Sequence, residues 1–363
     1  MKVLIVFNHP APYKVSIFNE LSKYVDLTVL FERNKAKDRP LSFYNKNNYL
    51  FRSITLKDGY VCNEGSISSG VRNYIKKHYM EYDQIVMNGY SHLAEIKAIR
   101  FLQKHGIPYS LLINGGVIHN KESLLKKRYK TSLIKGAKFY MSPSQKSNEY
   151  LIYYGANKDK IYNYPYSNLD ENEILSSEVN KNEIREKYNL PKEETIFVNA
   201  SQFIDRKNNM LLLELFLNRK ETLLLVGEGK EKVKYEKFIK DHNMKNVIIK
   251  DFLPKEELCP LLRACDAFVT LAKEDIFGHT TLEALANGLP VVSSNKVNSS
   301  LEYIKDGKNG FIVELENKEN IQKMLTKSLY LNKKDIISSV KSNTFQSCGK
   351  ALYEILKKEE NND

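Results

Sequence analysis

The chain has 363 residues, a formal net charge of +12 from 56 Lys and Arg against 44 Asp and Glu, and 42% hydrophobic residues. That length accommodates two domains with a core each, and the charge suits nucleic acid, an anionic membrane or a phosphorylated substrate, although a lysine-rich composition with no particular partner gives the same figure. Polar residues directly after the first apolar run argue against a signal peptide, no apolar stretch approaches the roughly 20 residues of a membrane span, and Cys62, Cys259, Cys265 and Cys348 lack metal-site spacing and read as reduced thiols of a cytoplasmic protein.

Residues 2–7 read as an apolar strand and Asn8-His9-Pro10-Ala11-Pro12 as a turn, because each proline disfavours helix in the residue before it. A helix follows over 15–24, with Ile17, Phe18 and Leu21 on one face. Strands at 27–31, 84–87, 110–114 and 138–141, with helices between them, repeat a Rossmann-like order. Over residues 121–138, Lys126, Lys127, Arg128, Lys130, Lys135 and Lys138 interleave with Leu124, Leu125, Tyr129, Leu133 and Ile134. This basic amphipathic helix either rests on an anionic membrane surface or docks on its own sheet with a lysine-rich outer face. Tyr164-Pro165-Tyr166 and the acid-rich stretch to about residue 178 read as a linker. The pattern then restarts with a strand at 194–200, a helix from 210, and strands at 223–226, 247–250, 267–272 and 290–293. A last helix over 346–358 carries Leu352, Ile355 and Leu356 as an apolar stripe. The class is α/β with two domains.

Two segments carry chemistry. In Glu274-Asp275-Ile276-Phe277-Gly278-His279-Thr280-Thr281-Leu282-Glu283, two acids flank a strand-to-helix turn that carries a glycine and two threonines. A helix N-terminus presents unpaired N–H groups and a partial positive charge, which suits a phosphate. A nearby acid can accept hydrogen bonds from ribose hydroxyls. The bland alternative is a solvated turn before an ordinary helix. The second segment, Ser201-Gln202-Phe203-Ile204-Asp205-Arg206-Lys207-Asn208, opens a helix after the first strand of the second half. Adjacent Arg and Lys there can face a diphosphate, Arg by forked contacts and Lys as a point charge; alone, the segment also reads as a solvated basic loop.

Together these segments resemble the family 4 glycosyltransferases, the large retaining group with the GT-B fold. Asp275 stands where the family often has Glu, Glu283 matches the second acid, and Phe277-Gly278 and the run from Glu283 to Val292 match closely. Lys207 matches the family lysine that contacts the donor pyrophosphate, while Gln202 stands where an Arg is usual. Gly227-Glu228-Gly229 resembles the family's Gly-acid-Gly turn. Asp251-Phe252-Leu253-Pro254 resembles the loop bordering the nucleotide base, where backbone groups of Phe252 and Leu253 read the base edge. In the first half, Asn8 to Lys14 resembles the Pro-Tyr-basic turn of the polysaccharide-assembly branch rather than the glycine-rich turn of many members.

The resemblance implies a GT-B fold, two Rossmann-like domains facing each other across a cleft: 1–166 binding the acceptor, 167–345 binding the nucleotide-sugar, and 346–363 as a helix packing back on the first domain. It implies transfer, with retention, from a nucleotide-sugar, UDP-linked, to a glycan or polyprenyl-linked acceptor in capsule, exopolysaccharide or cell-wall glycan assembly. Lys207, Arg206, Asp275 and His119 are then catalytic. Gln202, Gly227, Phe252, Leu253, Phe277, Gly278, His279, Thr280, Thr281 and Glu283 hold the donor. His9, Tyr13, Asn114, Gly115 and Gly116 lie on the acceptor side. No cofactor and no metal are called for, since no Asp-x-Asp motif ends a strand. The expected location is cytoplasmic, with peripheral contact on the inner face of the plasma membrane. Alternatives are a nucleotide-sugar epimerase or hydrolase on the same fold and, less favoured for want of a binding motif, a basic nucleic-acid-binding protein; no nucleic-acid partner is expected.

Overall fold

Runs such as Val3-Leu4-Ile5-Val6 and Leu223-Leu224-Leu225 have no polar alternation and are buried along their whole length, as parallel strands covered by helices on both faces must be. The computed structural model describes residues 1–35, 44, 48–56, 61–62, 65–66, 69–118, 122–177 and 179–361. His119, Lys121 and residue 178 of the expected linker lie outside them. The chain divides into two units, residues 1–168 with 343–363, and residues 169–342.

Unit 1 runs β1 (Lys2–Phe7), α1 (Pro12–Leu21), β2 (Asp26–Phe31), β3 (Arg52–Thr55), a short antiparallel pair β4 (Val61–Cys62) and β5 (Gly65–Ser66), α2 (Gly70–His78), β6 (Gln84–Met87), α3 (Leu93–Lys104), β7 (Ser110–Leu112), α4 (Leu124–Ile134), β8 (Tyr140–Ser142), α5 (Gln145–Tyr153) and β9 (Ile161–Asn163). Seven strands form one sheet in the order β3-β2-β1-β6-β7-β8-β9. Unit 2 contains α6 (Lys181–Lys187), β10 (Ile196–Ala200), α7 (Asn209–Phe216), β11 (Thr222–Val226), α8 (Lys232–Asp241), β12 (Val247–Lys250), α9 (Lys255–Arg263), β13 (Ala267–Thr270), α10 (Thr280–Ala286), β14 (Val291–Ser294), α11 (Asn298–Tyr303), β15 (Gly310–Val313), α12 (Lys318–Ser328) and α13 (Lys333–Ser338). Its six strands are ordered β12-β11-β10-β13-β14-β15. The last helix, α14 (Phe345–Glu360), belongs to unit 1.

Strand order reverses between β1 and β6 in unit 1 and between β10 and β13 in unit 2, and both pairs are parallel. At such a reversal the loops leaving the two strands diverge to opposite faces, which leaves a crevice beyond the strand C-termini where ligands of open α/β sheets bind.

Several boundaries differ from the sequence reading. α1 begins at Pro12, because a proline in the first helical turn has no N–H to leave unsatisfied and its fixed φ suits a helix. α4 is shorter than the basic stretch: Ser123 caps its start, accepting from the Lys126 N–H at 3.3 Å. Leu133 and Ile134 are buried, but Leu124 and Leu125 are 80% and 79% exposed. The edge strands β3 and β15 and the short β9 lack a long apolar run and escaped notice.

α14 is fastened to unit 1 at both ends. Near its C-terminus the fully buried Glu359 accepts from Lys160 Nζ at 3.2 Å and from the Tyr162 hydroxyl at 2.5 Å, and its carbonyl accepts from Lys138 Nζ at 3.0 Å. Near its start, Cys348 is buried beside Lys14 of α1. The Lys14 ammonium lies 4.3 Å from the centroid of the Tyr166 ring. Burial lowers the Lys14 pKa from 10.5 to about 7. Between these values the unfolded chain binds a proton that the folded chain does not, so stability rises with pH, by about 1.4 kcal/mol per pH unit from this group. Below pH 7 both states are protonated and the cost of the buried charge is constant. Lys14→Met should therefore be more stable than the wild type at pH 6.5 to 7, with the advantage shrinking as pH rises towards 8.5. Urea unfolding of both proteins across that range checks this; parallel curves would place the ammonium in water.

Candidate active site

The reversal point of unit 2 is built from the loops that follow β10 and β13. At its floor, Asn199 Nδ2 donates to the Val269 carbonyl at 2.7 Å, the Ser201 hydroxyl donates to Asn199 Oδ1 at 2.7 Å, and Asn209 Nδ2 donates to Ser201 Oγ at 3.3 Å. This buried chain binds the two strands to the start of α7. A single helical turn, Asp205–Lys207, follows, closed by Asn208 in the left-handed region at φ 58°, a conformation asparagine tolerates better than most residues. Asn208 Nδ2 donates to the Leu271 carbonyl at 2.9 Å, and the Lys273 N–H to the Arg206 carbonyl at 2.8 Å. The two loops are thus stapled together, and the cations of one meet the acids of the other.

Lys207 Nζ donates directly to Asp275 Oδ2, and both side chains are largely buried, 13% and 16% exposed. Arg206 is more open, with Nη1 3.9 Å from Asp275 Oδ1 and 3.3 Å from the Glu274 carbonyl. Asp275 is fixed from behind: its N–H donates to the Lys296 carbonyl at 2.9 Å, and its carbonyl accepts from the Asn298 N–H at 3.3 Å. The next residues are held likewise, the Ser299 N–H on the Phe277 carbonyl and its hydroxyl on the Gly278 carbonyl, both at 2.7 Å. Gly278 has φ +87°, and a Cβ there would stand 2.8 Å from Val297 Cγ1 and 3.1 Å from Asp275 Oδ2. Only glycine carries the chain past Asp275 at this point. The N–H groups of Gly278 and Thr280 have no hydrogen-bond acceptor among the described residues. Thr281 is buried, paired with the Ser300 hydroxyl at 3.0 Å, and the Phe277 ring lies 5.0 Å from that of His279.

Glu283 is 7% exposed. Burial pushes the Cys259 thiol of α9 up to about 11, with the charge of Glu283 contributing. The Gly227-Glu228-Gly229 turn lies against the Ser201–Phe203 backbone: a Cβ on Gly227 would be 1.9 Å from the Ser201 carbonyl oxygen, and the Phe203 N–H donates to the Glu228 carbonyl at 2.7 Å. Gln202 and Phe252 are exposed and Leu253 is half-buried. Gln202, Gly227, Phe252 and Leu253 therefore follow the C-terminal ends of β10, β11 and β12, on the sheet edge that also carries Lys207 and Asp275.

In unit 1, His9 follows β1, with Nδ1 3.2 Å from the Tyr44 hydroxyl. Tyr13, in the first turn of α1, packs edge-on against Tyr166. Asn114 follows β7, its Nδ2 donating to Asn88 Oδ1 at 3.2 Å. Gly115 lies next to it. Gly116 lies on the Tyr150 ring, where a Cβ would come within 2.4 Å. Sequence reasoning passed over Glu32 and Arg33, which follow β2, and His92 and Glu95 at the start of α3. Single ligand atoms of Glu32, His92 and Glu95 all lie within 4.8 Å of one another, the one such grouping among the described residues. The available signal was the abrupt change from the apolar run Leu27–Phe31 to an adjacent acid and base.

Residues 180–337 match the family model described as Glycosyl transferases group 1. Among curated proteins, the chain is 24% identical over 300 residues to an uncharacterized glycosyltransferase of Methanocaldococcus jannaschii, covering 72% of this chain and 84% of that protein. It is 28% identical over 161 residues to a poly(ribitol-phosphate) alpha-N-acetylglucosaminyltransferase of Staphylococcus aureus, covering 42% of this chain and 32% of that one. Among solved structures, Anabaena HepE in complex with UDP superposes with a TM-score of 0.78 at 17% identity, covering 99% and 100% of the two chains. WaaG, a glycosyltransferase involved in lipopolysaccharide biosynthesis, gives 0.69 at 16% identity, covering 97% and 99%. At these identities the structural likenesses speak for the fold, and the matched region is the one that carries the Lys207–Asp275 pair. Residues 180–337 carry the sequence likeness to the group 1 glycosyl transferases, and the chain has the α/β fold of the GT-B glycosyltransferase structures.

Proposed function

We propose that the protein transfers a sugar, with retention of configuration, from a UDP-sugar held by unit 2 to a glycan or polyprenyl-linked acceptor held by unit 1. The observation that carries this reading is the Lys207–Asp275 pair at the reversal point of unit 2, with Arg206 beside it and the free N–H groups of Gly278 and Thr280 close in sequence. Negative charge grows on the departing diphosphate as the glycosidic bond breaks. Lys207, Arg206 and those amides are donors fixed before the reaction, so they stabilise that charge without reorganising. Asp275 orients Lys207 and accepts from hydroxyls of the donor sugar, and Glu283 takes the ribose hydroxyls. Gln202, Gly227, Phe252 and Leu253 border the nucleotide, and Phe277, His279 and Thr281 support the turn that carries the amides. On the acceptor side the reading uses His9, Tyr13, Asn114, Gly115 and Gly116, with His119 beyond the described residues. A UDP donor is favoured by the likeness to HepE, solved with UDP and UDP-glucose. A role in polysaccharide assembly is favoured by relatives named for lipopolysaccharide core and O-antigen biosynthesis. Incubating the protein with a panel of nucleotide-sugars and lipid-linked acceptors, with mass spectrometry of the products, tests the reading. Transfer should survive EDTA, since the proposed stabilisation uses cations and amides; donor hydrolysis without transfer would refute it.

Lys207→Ala should lower kcat on the order of a hundredfold, about 3 kcal/mol of transition-state stabilisation, while circular dichroism shows a folded protein. Near-normal turnover would remove Lys207 from the chemistry.

The reading includes peripheral attachment to the cytoplasmic face of an anionic membrane through α4 and α5. No helix among the described residues is long and apolar enough to cross a membrane. Leu124, Leu125, Tyr129, Ile152 and Tyr153 are exposed, and Lys127 Nζ stands 3.6 Å from the Tyr153 ring centroid. Each basic side chain near such a surface contributes about 1 kcal/mol, screened over roughly 10 Å at moderate salt. Lys130 is committed internally to Glu122, at 2.6 Å, so the exposed Lys126 and Arg128 are the informative positions. Lys126→Glu with Arg128→Glu should abolish salt-sensitive flotation with phosphatidylglycerol vesicles and spare transfer to a soluble acceptor. Flotation equal to wild type would leave the patch as a solvated face.

A further inference from the structure

We propose that the reversal point of unit 1 carries a binding site for an uncharged, hydroxyl-rich sugar ring, built from Arg33, Glu95 and Asn114 with Glu32 and His92 at its side. The inference rests on the reading of unit 1 as the acceptor-binding half and names the chemistry it selects. Arg33 follows β2, its N–H donating to the Asn8 carbonyl at 3.1 Å just beyond β1. Glu95 reaches the same place from α3, which follows β6. These groups therefore bracket the crevice where the strand order reverses.

Arg33 is 6% exposed, yet its Nε and Nη1 have no hydrogen-bond acceptor among the described residues. Buried guanidinium donors left without acceptors are rare and costly. On the β6 side Asn114 uses Nδ2 on Asn88, the residue before Gly89, while its own Oδ1 is buried and accepts from no described residue. Glu95 is 3% exposed and uses Oε2 for the Ser91 and His92 N–H groups, at 2.8 and 3.1 Å. Its Oε1 lies against Gly89, where a Cβ would come within 3.2 Å. Burial raises Glu95 to about 7, against the hydrogen bonds from the His92 and Ser91 N–H groups and, least, the charge of Arg33.

The mixture decides the ligand. A divalent cation would suit Glu32, His92 and Glu95 but not the adjacent guanidinium. A phosphate would suit Arg33 but not the two carboxylates. A pyranose offers hydroxyls that accept from Arg33 and donate to Glu95 and Asn114 together, with no net charge to desolvate.

Saturation-transfer NMR on the full chain with the methyl α-pyranosides of glucose, galactose, mannose and N-acetylglucosamine tests this. At least one should receive saturation from the wild type, and the signal should persist in excess UDP. Arg33→Met should lower it to background with a melting temperature no lower than that of the wild type, because it removes a buried charge whose Nε and Nη1 have no partner among the described residues. Asn114→Leu should weaken it as a second check. The inference fails if no pyranoside is saturated, if UDP displaces the signal, or if Arg33→Met binds like wild type. Calorimetric uptake of manganese abolished by Glu95→Gln, or of inorganic phosphate abolished by Arg33→Met, would make this an ion site and overturn it too. Pyranoside binding through Arg33 without any UDP binding would keep this site and sink the donor reading of unit 2; UDP binding without pyranoside binding would do the reverse.

Discussion

A strand buried on both faces admits a polar side chain only where a partner meets it, and the central strands of both sheets are of this kind. Val3 to Val6, Ile196 to Val198 and Leu223 to Leu225 show almost no exposed surface. Chemistry must therefore collect where the strands end. Parallel pairing sends all C-termini of a sheet to one edge, and the reversal of strand order opens that edge at one place. Each unit has one such place. In unit 2 it holds Arg206, Lys207 and Asp275; in unit 1 it holds Glu32, Arg33 and Glu95. The two edges share a geometry and differ in polarity: the first sets two cations against one carboxylate, the second mixes carboxylates with a guanidinium.

The Lys207–Asp275 pair illustrates how little the local sequence controls by itself. The two residues are far apart in the chain and meet only because the loops after β10 and β13 are stapled by Lys273 and Asn208. Attraction between partly desolvated charges is stronger than in water, and losing one partner leaves the other poorly solvated. The backbone hydrogen bonds from the Lys296–Ser299 loop hold Asp275 independently of Lys207. The backbone of the acid is therefore fixed by contacts that do not involve the lysine.

Legibility in the sequence followed the physics of each element. β1, β6 and β11 were readable because strands that are apolar on all sides announce themselves. The turn at Gly278 was readable because a glycine between an apolar strand and a helix has few other uses. Arg33 and Glu95 were not, since their partnership depends on α3 folding over β6, a long-range fact that no local pattern encodes. The exposure of Leu124 and Leu125 was hidden for the converse reason. They fit the apolar stripe of a helix, but the helix begins at them and the sheet beneath reaches only to Leu133 and Ile134.

The fastening of α14 gives the chain an order of assembly. Unit 2 is complete by residue 342, whereas unit 1 lacks the helix that covers α1 until residues 343–361 have been made. During synthesis the half that is translated first must wait, with one side of α1 uncovered, for a segment made after unit 2. Domains otherwise tend to finish in the order in which they leave the ribosome. Here the later half can close while the earlier one is still open, so residues 343–361, remote in sequence from both candidate sites, govern when the first unit is complete.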